Sequence, residues 1–316
     1  MTRHDAPIPA TLLTGFLGAG KTTLLKRLLD DPQGVRYGVL INDFGAVNID
    51  SELVAESAPG TVSLQNGCVC CTIRSDLVES IEALLARDPA PERLLIEASG
   101  VSRPLPLAEA LEAPELAGRV RLDGIFCLVD AASFGDLDYA ASELALDQAT
   151  GSDIVVVNKA DLTTPAGLDA IEATLRAAAP RLRFLRTCHG GVPRDLLFGA
   201  HPAESGHHAH AGGHDHHHHD HGEEFEAWHW ESRAPLDERK LRAALRALPP
   251  GILRIKGILR VSQEERRAVL HLVGKRFELT EDGRAPPETG VLVAIGRRGA
   301  FDAPALAGLL EGCALR

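Results

Sequence analysis

The eight residues GFLGAGKT at positions 15–22 constrain this chain more than any other stretch. A short apolar run at 8–13 leads into them, and a helical pattern of apolar residues follows them. Glycines at 15, 18 and 20 let the backbone turn its N–H groups inward, around an anion held at the start of a helix. A buried strand that feeds a helix through such a loop belongs in a parallel sheet, because parallel neighbours need long crossover connections. Further continuous apolar runs at 37–41, 94–96, 125–129 and 154–157 read as buried strands. Between them lie amphipathic stretches. At 72–89, Ile73, Leu77, Ile81, Leu84 and Leu85 fall on one helical face ahead of Pro89. The alternation implies an α/β fold with a mostly parallel sheet covered on both faces, whose ligands bind at the carboxyl ends of the strands.

The loop matches G-x-x-x-x-G-K-[ST] in full, in the strand–loop–helix context that motif requires. Gly15, Gly18, Ala19, Gly20, Lys21, Thr22 and Thr23 are therefore the candidate phosphate-binding residues. Lys21 is expected to reach the β- and γ-phosphates of a nucleotide, and the Thr22 hydroxyl to bind Mg²⁺. A second strand end reads VVVNKADL (155–162), and N-K-x-D there resembles the guanine-recognition motif of GTPases. The resemblance implies that Asp161 accepts from the guanine, that Asn158 meets its other edge, and that the Lys159 stem covers the ring. GTP is favoured over ATP. A third strand end, LLIEASG (94–100), offers Glu97 for a Mg²⁺-bound water or for placing the attacking water. A fourth, INDFGAVNID (41–50), offers Asp43, with Asp50 beside it, as a contact to Mg²⁺ or to a second metal in a loop that orders around the nucleotide. Lys21, Glu97 and Asp43 are the candidate catalytic residues.

The stretch QNGCVCCT (65–72) crowds Cys68, Cys70 and Cys71 into four positions. Soft thiolates suit Zn²⁺, and also Cu(I) or Co²⁺. The spacing leaves two other readings open: small buried residues, and a redox pair at Cys70–Cys71. Cys71 is expected just ahead of a helix that begins near Thr72, where the helix field favours thiolate. Three sulfurs leave a tetrahedral shell incomplete, as a delivery site requires. Cys127, Cys188 and Cys313 lie apart and read as structural.

Taken in order, these motifs resemble the CobW-type GTPases, metallochaperones related to the urease and hydrogenase accessory GTPases. The resemblance spans nearly the whole chain, including RIKGILR (254–260). Its most specific mark is C-x-C-C after N-G. It implies a P-loop GTPase domain followed by a small α+β C-terminal domain, Zn²⁺ at Cys68, Cys70 and Cys71, and transfer of that metal to client metalloproteins coupled to GTP hydrolysis. Cobalt delivery for cobalamin synthesis stands as an alternative, as does a redox-sensing GTPase without cargo. The family usually carries an acidic residue where this chain has Ala46, so one ligand or switch contact is missing.

Domain boundaries follow composition. Residues 1–200 carry the nucleotide motifs. Residues 201–224 have no apolar periodicity, and ten of the fourteen histidines fall between 201 and 221. His207, His208, His210, His214, His216, His217, His218, His219 and His221 form a weak, unselective metal reservoir in this reading. Residues 225–316 read as strand, helix, strands at 253–261, 269–273 and 291–295, and a last helix at 303–310. His229 and His271 are assigned to the fold of that domain. A net charge of −11 argues against nucleic acid as the partner. No apolar run approaches a membrane span, so a cytoplasmic location is expected, where thiols stay reduced. A homodimer is compatible with the second domain's role in contacts.

Overall fold

The computed structural model describes residues 6–43, 62–65, 70–199, 225–262, 264 and 266–315, with the backbone alone at 42–43, 62–65 and 70–74. Cys68, Asp50, Ala46 and the histidine run at 201–221 lie outside the described residues. The chain divides into two compact units, Met1–Val192 and Pro193–Arg316.

The first unit is a seven-stranded sheet built from β1 (Ile8–Gly15), β2 (Tyr37–Asp43), β3 (Val62–Gln65), β4 (Arg93–Glu97), β5 (Val120–Asp130), β6 (Ile154–Asn158) and β7 (Arg183–Arg186), in the order β3-β2-β4-β1-β5-β6-β7. Every pairing is parallel. The crossovers carry α1 (Lys21–Asp30), α2 (Cys70–Leu85), α3 (Pro104–Leu111), α4 (Tyr139–Thr150) and α5 (Pro165–Ala178). The central strands are buried on both faces, which is why they read as unbroken apolar runs. Leu77, Ile81 and Leu84 of α2 pack with Leu107 and Leu111 of α3 against Leu12, Leu40 and Ile96. Leu168, Ile171 and Leu175 of α5 join Cys127, Val155 and Val157 in a second cluster. The outermost strands, β3 (VSLQ) and β7 (RFLR), escape the apolar-run criterion because each has a single sheet neighbour and carries polar residues.

This register fixes where the motifs meet. Gly15 lies opposite Leu128, Leu13 and Ile41 opposite Glu97, Asp43 opposite Gln65, and Asp130 opposite Asn158. All the strand-end motifs therefore emerge on one edge of the sheet, the carboxyl edge where open α/β sheets bind ligands.

The second unit is an antiparallel five-stranded sheet, order β11-β10-β9-β12-β8, from β8 (Phe225–Ser232), β9 (Ile252–Val261), β10 (Arg266–Val273), β11 (Arg276–Glu281) and β12 (Gly290–Arg297). Helices α7 (Glu238–Arg246) and α8 (Ala303–Glu311) pack on one face through Leu241, Leu245, Leu306 and Leu310. Trp230 is buried in that core and Trp228 packs against it, while His229 points to the exposed side of the same strand. A short helix, α6 (Arg194–Phe198), groups with this unit rather than with the first. Arg254, 1% exposed, donates through Nη1 to the carbonyls of Leu196 (3.1 Å) and Leu197 (2.8 Å). Lys256 donates to Phe198 O. Two cations thus cap the carbonyl end of α6, where the helix field favours them. Arg260, the third basic residue of RIKGILR, donates instead to Arg233 O and Glu288 O, so all three bind their own chain.

Candidate nucleotide and metal site

The Gly-rich loop turns as its glycines require. Gly15, Gly18 and Gly20 have φ of 131°, 75° and 99°, values L side chains rarely adopt. A Cβ on Gly15 would lie 2.1 Å from Leu128 O, so that position admits only glycine. Leu17, Gly18, Gly20, Lys21, Thr22, Thr23, Glu97, Ala98, Ser99 and Gly100 line a cleft of about 210 Å³. Lys21 is 6% exposed, and its ammonium donates to Gly15 O at 2.9 Å and Phe16 O at 3.2 Å. It is thus held on the loop's own carbonyls. The Thr22 hydroxyl donates to Glu97 Oε1 at 2.7 Å across the cleft. A hydroxyl and a carboxylate meeting there are hard oxygen donors of the kind Mg²⁺ takes, so Thr22 and Glu97 fit a Mg²⁺ ion. Asp43 ends β2 two strands from the Gly-rich loop, and its backbone alone is described.

The N-K-x-D turn is held by contacts within the fold. Asn158 is 2% exposed. Its Nδ2 donates to Ala19 O at 2.8 Å, and its Oδ1 accepts from Gly190 N–H at 3.0 Å. Asn158 thus ties the phosphate loop to the loop after β7 through one bond at each end of its amide. The Gly20 Cα faces this amide so closely that a Cβ there would lie 2.4 Å from Nδ2. Lys159, at φ 59°, forms an ion pair with Asp130 Oδ2 at 2.6 Å. Asp130 is placed by the Ala132 N–H at 3.0 Å. Burial pulls the Asp130 carboxyl upward, but the Lys159 ammonium and the Ala132 N–H outweigh it and hold the group below its ordinary value. Asp161 is exposed in the turn that follows.

Sequence reasoning overlooked the loop Thr187–Gly191. Thr187 N–H donates to Val157 O and Thr187 O accepts from Ala160 N–H, which stitches this loop to the N-K-x-D turn. Gly190 has φ 65°, and its Cβ would lie 3.0 Å from Leu24 backbone. Cys188, expected to be structural, sits in this loop at the nucleotide edge. Cys127 and Cys313 are buried as expected. Burial pushes the Cys127 thiol up to about 12, although Lys21 pulls the other way. The only signal for this loop was a His-Gly-Gly after a two-residue apolar strand, too little to separate it from any turn.

The helix after the cysteine run begins at Cys70, two residues before the expected start. Cys70 and Cys71 therefore occupy its first turn, where unsatisfied N–H groups stabilise thiolate. Among the described residues no three His, Cys, Asp or Glu side chains gather to hold a metal. The side chains of Cys68, Cys70 and Cys71 are outside that set.

Two family models match the chain: the CobW/HypB/UreG nucleotide-binding domain over residues 9–186, and the cobalamin synthesis protein CobW C-terminal domain over 225–314. The chain belongs to the CobW/HypB/UreG family of P-loop GTPases. Similar relatives include a zinc chaperone CobW from Sinorhizobium sp, 30% identical over 310 residues that cover 87% of this chain and 88% of the relative. Another zinc chaperone CobW, from Pseudomonas aeruginosa, is 32% identical over 309 residues, covering 86% and 82%. The zinc chaperone YjiA of Escherichia coli is 34% identical over 197 residues, 61% of each chain. Among the described residues no helix is long and apolar enough to cross a membrane.

Proposed function

We propose that this protein is a cytoplasmic zinc chaperone that hydrolyses GTP, holds Zn²⁺ at Cys68, Cys70 and Cys71, and passes it to a client metalloprotein. The observation that carries this reading is the sheet register. β3 and β4 flank β2 directly, with Gln65 opposite Asp43 and Glu97 opposite Ile41. Gln65, three positions before Cys68, ends a strand two strand spacings, about 10 Å sideways, from the strand that carries Glu97. Relatives named zinc chaperones make Zn²⁺ the favoured cargo over Co²⁺.

In this reading the loop N–H groups of residues 18–22 cradle the β-phosphate, and Lys21 leaves the Gly15 and Phe16 carbonyls for the phosphate oxygens. Mg²⁺, when bound, neutralises charge on the departing phosphates. Glu97 orients Thr22 and the water around that position. Asn158 keeps the phosphate and base loops in one register, and Asp161 accepts from the guanine. Asp43 ends β2, the strand between β4, which carries Glu97, and β3, which precedes the cysteine run, and in this reading the link between nucleotide state and metal affinity passes through it. The histidine run raises local metal concentration.

Replacing Lys21 with Ala tests the nucleotide half. GTP binding and turnover should vanish while metal capacity at the histidine run persists. Normal GTP turnover in Lys21→Ala overturns the assignment. Replacing Cys68, Cys70 and Cys71 with Ser should remove tight zinc binding, and unchanged tight binding would place the site elsewhere.

A further inference from the structure

Gln148 lies on α4 with no exposed surface. Its Nε2 donates to Gly100 O at 3.1 Å and to Ser102 O at 3.0 Å. These carbonyls belong to the stretch that follows Glu97, whose Ala98, Ser99 and Gly100 form one wall of the phosphate cleft. The opposite side of the same stretch rests on the Gly-rich loop. A Cβ on Gly100 would lie 2.5 Å from Leu17 Cδ2 and 2.9 Å from Leu17 N. The wall is therefore pinned between Leu17 and one buried amide.

The chemistry of that amide is informative. Turned the other way, it would set its oxygen against two carbonyls, so the orientation is fixed by the acceptors. In this orientation Oε1 is buried and accepts from no side chain or backbone group among the described residues. A leucine would fill a similar space but would leave the Gly100 and Ser102 carbonyls without this donor, at about 1–3 kcal/mol each. Nothing in packing alone favours a glutamine here. A requirement to hold two carbonyls does.

We propose that Gln148 is a positioning residue for GTP hydrolysis: by holding the Gly100 and Ser102 carbonyls it fixes the Glu97–Gly100 wall against the γ-phosphate end of the cleft. This rests on GTP occupying that cleft. A displacement of about 1 Å at a reacting centre costs about a hundredfold in rate, so releasing the wall should act on turnover and spare nucleotide contacts made by the Gly-rich loop.

The test compares Gln148→Leu, which removes both donors, with Gln148→Asn, which keeps an amide one methylene too short to reach both carbonyls. Full-length protein is used, with kcat for GTP, GDP affinity, and the affinity ratio of a non-hydrolysable GTP analogue to GDP as readouts. The expected result is a graded loss of kcat, about tenfold or more in Leu and less in Asn. GDP affinity should stay within about twofold, and the GTP-analogue preference should fall. Unchanged kcat in both variants overturns the proposal. So does a parallel loss of kcat and GDP affinity, which is what a generally loosened site gives. If Leu does not fold, the Asn variant decides alone on the same readouts. Absent GTP binding in the unaltered protein would instead defeat the functional reading on which the proposal rests.

Discussion

Replacing Asn158 with Ala separates two roles that the same residue type can play. If its amide met only the guanine, the nucleotide-free protein would not notice the change. In this structure the amide bridges Ala19 O and Gly190 N–H at 2.8 and 3.0 Å inside the fold. Removing it leaves one carbonyl and one N–H buried without that partner, at about 1–3 kcal/mol each. The sum, about 2–6 kcal/mol, is a large share of the ~5–15 kcal/mol that holds a typical domain together. For a unit of this size even 2 kcal/mol lowers the unfolding midpoint by roughly 4–8 °C. The assay is thermal unfolding of the nucleotide-free protein, followed by GTP affinity at a temperature where both proteins are folded. Both should fall, because the phosphate and base loops lose their shared tether. A midpoint within about 1 °C of the unaltered protein, with affinity lost, would refute the tether and leave Asn158 with direct base contact alone.

Other outcomes follow from the same site. Asp130→Asn should weaken GTP affinity severalfold by freeing the Lys159 ammonium that Asp130 now holds at 2.6 Å, and equal affinities would remove Asp130 from guanine recognition. Because the Asp130 carboxyl is held below its ordinary 3.8, the stabilisation from this pair is complete above that value and is lost as pH falls through the depressed folded value. GTP affinity of the unaltered protein should therefore show no step from this pair between about pH 5 and 8, and a step there that vanishes in Asp130→Asn would contradict the direction of the shift. Cys127, pushed up to about 12, should have only about one thiol in ten thousand ionised at pH 8. Mass spectrometry after brief alkylation of the folded protein should find it unmodified, and labelling at a rate like that of a small free thiol would contradict its burial.

The parts of this account that were legible in the sequence are those whose chemistry is contiguous. The Gly-rich loop, the strand-end carboxylate Glu97 and the N-K-x-D turn each carry their signal within a few residues, and the central strands announce themselves because both faces are buried. Strands β3, β7 and β11 give no continuous apolar run because polar residues interrupt their short sequences VSLQ, RFLR and RFELTE. The start of α2 was placed two residues late because Cys70 and Cys71 give no capping signal. The tethering role of Asn158 and the grip of Gln148 on Gly100 join residues 139 and 48 positions apart. Such pairings exist only once the sheet has brought the strand ends together, so no local pattern announces them. The same holds for Cys188, which looked like a lone thiol until β7 carried it to the nucleotide edge.

In the proposed function, nucleotide state sets metal affinity at the cysteine run. That coupling is tested most directly by titrating Zn²⁺ against a competing chelator, on protein lacking residues 201–221, without nucleotide, with Mg²⁺–GDP, and with Mg²⁺ plus a non-hydrolysable GTP analogue. The account predicts at least about tenfold tighter zinc in the GTP-analogue state, matched by an equal gain in analogue affinity when zinc is present. Equal zinc affinity in all three states would contradict it.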